Sequence, residues 1–145
     1  PSAKAVAEAP PGVTLTQGTA ESLPFGDSLF DLVIFGFCLY LCDRHDLFRI
    51  AAEADRVLKD HGTMALYDFC TPVPYKNSYV HVEGLNSYKM DYSRLFSWNP
   101  AYRLVSHTLI PHPGSTAMGP DHCVGVSLLH KNIDQGWPTN PYGKE

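Results

Sequence analysis

The segment that decides the fold is residues 30–69, FDLVIFGFCLYLCDRHDLFRIAAEADRVLKDHGTMALYDF. Residues 30–36 form a nearly continuous apolar run, which is typical of a strand buried on both faces of a parallel sheet. Residues 63–69 form a second run of this kind. Between the two runs, apolar residues recur at helical spacing and predict one buried stripe: Leu47, Ile50, Ala51, Ala54, Val57 and Leu58. The segment therefore predicts a right-handed βαβ unit with parallel strands.

The ends of the helix also carry signals. We expect Asp43 to cap its N-terminus, with Asp46 in the first turn, where a carboxylate interacts favourably with the helix dipole. We expect Gly62 to end the helix in the left-handed conformation that glycine adopts easily.

The residues before this unit predict a helix and a strand. Residues 2–9 favour a short helix that stops at the Pro-Pro-Gly sequence of residues 10–12. Residues 13–17 alternate apolar and polar side chains, which predicts a half-buried strand. Residues 18–29 are expected to form a loop.

The residues after the unit predict an antiparallel strand pair. Residues 103–110 and 123–130 have strand-like patterns and are joined by a loop rich in proline and glycine. Residues 75–102 are weakly patterned, with a short helix expected near residues 91–97. We expect one domain over residues 1–130 and a surface tail over residues 131–145.

Composition excludes several classes of protein. The 145 residues fit one domain. The net charge of −4, without a cluster of basic residues, argues against a nucleic-acid partner. No apolar run reaches the length of a membrane span. The four cysteines lack metal-ligand spacing, so we expect reduced thiols, a cytoplasmic location and no metal site. Because the chain starts at Pro1 rather than methionine, we expect a processed or truncated product.

The carboxyl ends of the strands are the expected place for a ligand, as in other open α/β sheets. These ends are residues 19–21, residues 35–37 and residues 68–69. Gly36 either lets a ligand approach the backbone or allows a tight exit from the strand. Asp68 is either solvated, capping a turn or functional, because an unpaired buried carboxylate is costly. The residues alone lead no further than an α/β domain with a site at its strand ends.

Three segments in order carry a family resemblance. They are GTAESLPF at residues 18–25 with Asp27 close behind, FDLV at residues 30–33, and RVLK at residues 56–59 before Gly62. This pattern resembles class I S-adenosylmethionine-dependent methyltransferases of the type 11 small-molecule family, over roughly residues 12–70. The resemblance implies a Rossmann-like methyltransferase sheet, parallel with an antiparallel C-terminal strand pair. It also implies methyl transfer from S-adenosylmethionine to a small-molecule acceptor.

The resemblance further implies which residues line the site. The adenine would lie against Thr19, Ala20 and Glu21, although the family often has aspartate at the position of Thr19. The methionine side of the cofactor would lie against Phe35, Gly36 and Phe37, with Tyr40 and Asp68 on the acceptor side. No catalytic residue is assigned, since a sulfonium methyl group is already activated and chiefly needs an aligned acceptor.

The chain also departs from the family. It has no glycine-rich loop and no counterpart of the acidic residue that holds the ribose. Losing two hydrogen bonds to a charged group costs about 3–6 kcal/mol, which is roughly a 10²–10⁴-fold loss of affinity. We therefore expect the N-terminal strands to be missing or supplied by another chain, as an N-terminal partner segment or in a homodimer.

Two other functions compete with an incomplete methyltransferase. One is a non-catalytic methyltransferase-like module that acts through a protein partner or as a homodimer. The other is an unrelated α/β hydrolytic or binding domain, which the βαβ unit permits.

Overall fold

The computed structural model describes residues 3–119 and 121–143. The helices are α1 (Ala3–Ala7), α2 (Leu47–Val57), α3 (Arg94–Ser97) and α4 (Ile133–Gly136), with a 3₁₀ turn at Leu39–Leu41. The strands are β1 (Phe30–Gly36), β2 (Leu58–Phe69), β3 (Tyr75–Ser78), β4 (Asn86–Lys89), β5 (Tyr102–Pro111) and β6 (Cys123–Lys131).

A four-stranded sheet in the order β1-β2-β6-β5 forms the centre of the protein. Strands β1 and β2 are parallel, with Val33 opposite Met64 and Phe35 opposite Leu66. Strand β6 runs antiparallel to both β2 and β5. The predicted parallel pairing across a helix and the antiparallel C-terminal pair are therefore confirmed.

The hydrophobic core lies on the face of the sheet that α2 covers. All six residues of the predicted stripe are buried, although the last of them, Leu58, is the first residue of β2. The four core residues of α2 cluster with side chains of the sheet: Leu47, Ile50, Ala51 and Ala54. Phe35, Met64, Leu66 and Leu129 project into this core from β1, β2 and β6. The helical spacing of the stripe thus fixed which face of α2 meets the sheet.

The opposite face of β1 is exposed. Leu32 is 49% exposed and Ile34 is 62% exposed. The prediction that this strand is buried on both faces is wrong for this chain, because the described helices cover only one side. Among residues 3–119 and 121–143, β1 pairs with β2 alone, so its other edge is open.

The strand predicted at residues 13–17 is not present. These residues pair with no described strand, and Val13 is half exposed. Alternating side chains produce a strand only beside a partner that accepts its backbone hydrogen bonds. The predicted N-terminal helix is present as α1, while Ser2 lies outside the described residues.

Helix α2 starts later than predicted. Asp43 caps a local turn instead, accepting hydrogen bonds from the backbone N and Nδ1 of His45 at 2.9 and 2.8 Å. Asp46 occupies the N-cap position, but its side chain makes no capping hydrogen bond.

Helix α2 also ends differently. It passes directly into β2 at Leu58, and the left-handed residue is His61, with φ of +61°, rather than Gly62. Gly62 is needed for space, because a Cβ there would lie 2.6 Å from Leu58 Cδ1 and 2.9 Å from the carbonyl oxygen of Lys59.

The weakly patterned residues 75–102 contain a hairpin that the sequence did not predict. Strands β3 and β4 pair antiparallel, with Tyr75 opposite Lys89 and Ser78 opposite Asn86. Both strands are short and mostly polar, so they lack the apolar alternation that identifies a strand. The helix expected near residues 91–97 is present as α3.

Candidate functional site

The turn after β1 is held by the carboxylate of Asp68 at the end of β2. Its Oδ2 accepts hydrogen bonds from the backbone N atoms of Cys38, Leu39 and Tyr40 at 3.1, 2.8 and 3.4 Å. Its Oδ1 accepts one from the backbone N of Phe69 at 2.7 Å. Asp68 is 2% exposed, and this burial raises its pKa, while the amide hydrogen bonds act in the opposite direction. The buried carboxylate thus fixes the path of the chain where it leaves β1.

Phe37 lies at the centre of this turn in an uncommon conformation. Its φ is +47°, and its backbone N donates to the carbonyl oxygen of Tyr67 at 2.7 Å. Positive φ is rare for a bulky residue and is found disproportionately at functional sites. The conformation brings the Phe37 ring within 4.6–6.3 Å, centroid to centroid, of four rings, those of Tyr40, Tyr67, Phe69 and His112.

A cleft of about 470 Å³ opens beside this aromatic group. It lies between the β3–β4 hairpin and the carboxyl end of β2, and its lining includes Tyr40, Phe69, Tyr79, Lys89 and His112. The rings of Phe69 and His112 stack with an interplanar angle of 2°. Flat aromatic walls of this kind suit a planar or apolar ligand.

Charge in the cleft is locally balanced. The Lys89 ammonium lies 3.9 Å from the centre of the Phe69 ring and 2.9 Å from Oδ1 of Asp121. Burial and the neighbouring Tyr79 hydroxyl raise the pKa of Tyr40 to about 12. Tyr40 therefore keeps its proton at neutral pH.

The segment of residues 19–21 lies beside the turn after β1. It forms a tight turn in which the backbone N of Ser22 donates to the carbonyl oxygen of Thr19 at 3.2 Å, and Ala20 packs against the core. Burial, then the charges of Asp68 and Glu21, raise the pKa of the Cys42 thiol. Glu21 is therefore close to the residues that follow β1.

A pair of charged side chains on α2 anchors the loop that follows this segment. Arg56 donates to the carbonyl oxygens of Phe25 and Leu23 at 2.8 and 3.1 Å, and to Asp27 Oδ1 at 2.7 Å. Glu53 binds Arg56 and accepts a hydrogen bond from the backbone N of Leu23 at 2.8 Å. These bonds lower the pKa of Glu53 to about 2. We call these two residues the Glu53–Arg56 clamp.

Comparison with known proteins finds a family that the N-terminal part of the chain resembles. A sequence model described as "Methyltransferase domain", type 11, matches residues 1–66. Residues 1–66 are therefore similar to this methyltransferase family.

Two curated relatives each match less than half of the chain. The uncharacterized methyltransferase sll0829 of Synechocystis is 42% identical over 62 residues, which are 43% of this chain and 29% of that protein. The uncharacterized protein YafE of Escherichia coli is 38% identical over 60 residues, 41% of this chain and 28% of that protein. The matched segment therefore spans less than a third of either relative.

Solved methyltransferases share the fold over most of the chain. A Methanosarcina mazei protein described as a SAM-dependent methyltransferase superimposes with a TM-score of 0.63 at 17% identity, covering 90% of this chain and 76% of its own. A Burkholderia thailandensis 1,6-didemethyltoxoflavin-N1-methyltransferase gives 0.65 at 15% identity, covering 82% and 51%. In the described residues, no helix has the length and apolar character needed to cross a membrane.

Several of the residues that the sequence predicted to line a cofactor or acceptor site lie at one end of the sheet. Their surroundings there differ from one residue to the next. Phe35 is buried in the core, 6.4 Å from the Phe96 ring, so only its backbone faces the site. Gly36 has open space where a Cβ would project. Tyr40 lines the cleft, while Asp68 lies beneath the turn and outside the lining.

The sequence did not lead to the assignment of several residues around this site. Lys89 and His112 line the cleft, yet one comes from the weakly patterned hairpin and the other follows β5 in a loop. The Glu53–Arg56 clamp was also missed, although Arg56 belongs to one of the three family-like segments. That segment could have indicated the role of Arg56, because an arginine near the C-terminus of a helix can donate hydrogen bonds to nearby carbonyl oxygens.

Proposed function

We propose that this chain contributes the adenine-facing and methyl-facing walls of an S-adenosylmethionine-dependent methyltransferase that acts on a small molecule. The supporting observation is the meeting of three features at one end of the sheet. They are the segment of residues 19–21, the turn after β1 and the aromatic cleft. Open α/β sheets bind ligands at this end of their strands. The Burkholderia neighbour, which contains S-adenosylhomocysteine and 1,6-didemethyltoxoflavin, also supports this function.

The donor wall in this proposal consists mainly of backbone. Ala20 and Glu21 present their backbone to the adenine edge, with Thr19 beside them. Gly36 leaves room for the methionine part of the cofactor, because no neighbouring atom lies within 4 Å of its missing Cβ. Phe35 contributes only its backbone, and Phe37 separates the donor from the acceptor cleft.

The acceptor in this proposal is a small planar molecule without net charge. A cleft of about 470 Å³ falls within the common range of ligand sites, about 300–1,000 Å³. The ion pair of Lys89 with Asp121 leaves little net charge to attract an ionic acceptor. Tyr40 donates a hydrogen bond to the acceptor, and Asp68 is a positioning residue that holds the turn carrying Tyr40.

Methyl transfer from S-adenosylmethionine needs few catalytic groups from the protein. S-adenosylmethionine supplies an activated methyl group, so the protein must align the acceptor and exclude water. An acceptor that carries a proton also needs a base. His112 is the candidate, because its ring lies 5.5 Å from the Phe37 ring at the boundary between donor and acceptor.

The open edge of β1 supports a further part of the proposal. A polypeptide segment, either N-terminal strands or a second copy, pairs with this edge and supplies the ribose contacts. Residues 1–130 form the partial domain and residues 131–145 its tail. The four free cysteines support a cytoplasmic location.

Calorimetric titration with S-adenosylmethionine tests the donor wall. We expect the full chain to bind with a dissociation constant between about 10 µM and 1 mM, since the ribose contacts are lacking. Gly36→Val fills the donor space and should weaken binding at least tenfold. Gly26→Val is the matched control, because Gly26 also has open space around its missing Cβ and is not one of the proposed donor-wall residues.

Two results would contradict the donor wall. One is the absence of saturable binding by the folded chain at millimolar S-adenosylmethionine. The other is an equal affinity of the Gly36→Val and Gly26→Val variants.

A further inference from the structure

Three potential metal ligands meet on the core side of the sheet, away from the aromatic cleft. Cys70 follows β2, Asp91 precedes α3 and His107 lies on β5. One sulfur, one oxygen and one nitrogen atom of these residues all lie within 4.8 Å of one another. Sγ of Cys70 is 3.9 Å from Nε2 of His107. Three distinct ligand types thus converge from three separate parts of the chain.

Two serines orient these ligands. Ser127 Oγ lies 2.8 Å from Nδ1 of His107, which fixes the ring with Nε2 directed toward Cys70. The backbone N and Oγ of Ser93 donate to Oδ1 of Asp91 at 3.0 and 2.6 Å. Metal-binding histidines and carboxylates are commonly held by a second hydrogen bond of this kind.

Gly125 on β6 keeps the space that the three ligands occupy. A Cβ at this position would lie 2.8 Å from Cβ of Cys70, 3.4 Å from its Sγ and 3.5 Å from Cε1 of His107. An added Cβ at this position would therefore displace Cys70 and lie in van der Waals contact with His107. Glycine here is explained by the close approach of those two side chains.

We propose that Cys70, Asp91 and His107 bind a zinc ion. With zinc–ligand bonds of about 2.0–2.3 Å, the ligand atoms of a tetrahedral site lie about 3.3–3.8 Å apart. The observed separations require each ligand atom to move by about 1 Å or less. A thiolate with an imidazole selects zinc over magnesium and calcium, which prefer oxygen ligands alone.

The fourth position of this zinc site faces a second cleft. Cys70, Asp91 and His107 all line a cleft of about 280 Å³, together with Thr71 and Arg94. This cleft shares no lining residue with the aromatic cleft of about 470 Å³. Three protein ligands and one open position are the arrangement of zinc sites that bind a water molecule or a substrate. The sequence predicted no metal site because the ligands are single residues, separated by 21 and 16 positions along the chain.

Titration of the reduced, chelator-treated full chain with Co²⁺ tests the site without any methyl donor, so its result is independent of the proposed function. We expect a thiolate-to-cobalt charge-transfer band that saturates at one equivalent and disappears when Zn²⁺ is added. Cys70→Ser should abolish the band. His107→Gln and Asp91→Asn should each weaken Zn²⁺ binding at least tenfold, and Ser127→Ala by about 10–100-fold, as for other outer hydrogen-bond partners.

Two variants serve as matched controls. Cys42→Ser removes a thiol outside the cluster, and His45→Gln removes a histidine that contacts Asp43, also outside the cluster. Both should keep the cobalt band. Circular dichroism establishes that each variant is folded, and the exposed His107 provides the test if Cys70→Ser is unfolded. The zinc site is refuted if the folded chain gives no saturable cobalt band, if Cys70→Ser keeps it, or if His107→Gln binds Zn²⁺ as tightly as the unsubstituted chain.

Discussion

Replacing Asp68 by alanine should loosen the turn after β1 and destabilise the protein. The substitution removes the acceptor of two short, buried hydrogen bonds, from the backbone N of Leu39 at 2.8 Å and of Phe69 at 2.7 Å. Bonds to a charged group contribute about 1.5–3 kcal/mol each, which gives about 3–6 kcal/mol. Removing a buried carboxylate also relieves its desolvation, which is the cause of its raised pKa. We therefore expect a net loss of about 2–4 kcal/mol.

Urea unfolding followed by circular dichroism measures this loss. With a urea dependence of about 2 kcal/mol per molar, the midpoint should fall by about 1–2 M. Asp68→Asn keeps one acceptor oxygen and should lose about half as much. Asp60→Ala is the control, because Asp60 also accepts two backbone hydrogen bonds, from His61 and Ile133, but at a more exposed position. It should lower the urea midpoint by clearly less than Asp68→Ala does, because its hydrogen bonds lie nearer the surface.

The pH dependence gives an independent check on Asp68. Because its folded-state pKa is raised, its contribution to stability is present below the ordinary value of 3.8 and is lost as the pH rises through the folded value. The difference in stability between the unsubstituted protein and Asp68→Asn should therefore shrink as the pH rises above 3.8. If Asp68→Ala costs no more than Asp60→Ala, the carboxylate does not hold the turn and the reasoning fails.

Three further predictions test the fold. The melting temperature of Glu53→Gln should decrease less than that of the unsubstituted protein between pH 4.5 and pH 2. The lowered pKa of Glu53 adds stability above its ordinary value, and this stability is lost as the pH falls toward 2. The same decrease in both proteins would contradict the Glu53–Arg56 clamp. Gly62→Ala should destabilise the protein by about 1–3 kcal/mol in urea unfolding, because the new Cβ would lie 2.6 Å from Leu58 Cδ1. Gly36→Ala should be nearly neutral, because the space around its missing Cβ is open. Equal losses for the two variants would contradict the close packing at Gly62. Phe35→Ala should lower the free energy of unfolding by about 3–5 kcal/mol, because its side chain is buried. Ile34→Lys on the open face of β1 should lower it by less than about 1 kcal/mol and should reduce any self-association seen by light scattering. A large loss of stability for Ile34→Lys would show that this face is covered.

The helices and strands that the sequence predicted correctly are mainly those whose apolar pattern reflects burial in the core. The stripe of α2 and the apolar runs of β1 and β2 are determined by packing against one another, so their periodicity was sufficient. The antiparallel pair of β5 and β6 followed from the same kind of signal. Residues 13–17 carry an equally regular alternation but form no strand, because alternation reports an intrinsic preference and a strand also needs a partner.

The sequence located the ends of the strands but not the directions of the side chains there. The carboxyl ends of the strands are set by topology, so residues 35–37 and Asp68 could be located before the structure was known. Whether a side chain lines the cleft depends on its direction at the turn, and this depends on the positive φ of Phe37, which no pattern reveals. Lys89 and His112 come from polar or proline-rich segments, where periodicity carries no information about neighbours in space.

The Glu53–Arg56 clamp has a consequence for assembly. The loop that follows residues 19–21 is attached to α2, and the backbone N atoms of Ser28 and Leu29 also donate to carbonyl oxygens of Arg56 and Val57. Its position is therefore set by a helix that is packed on the sheet within this chain. If a segment pairs with the open edge of β1, as we propose, the entropy of ordering this loop is lost during folding rather than during association.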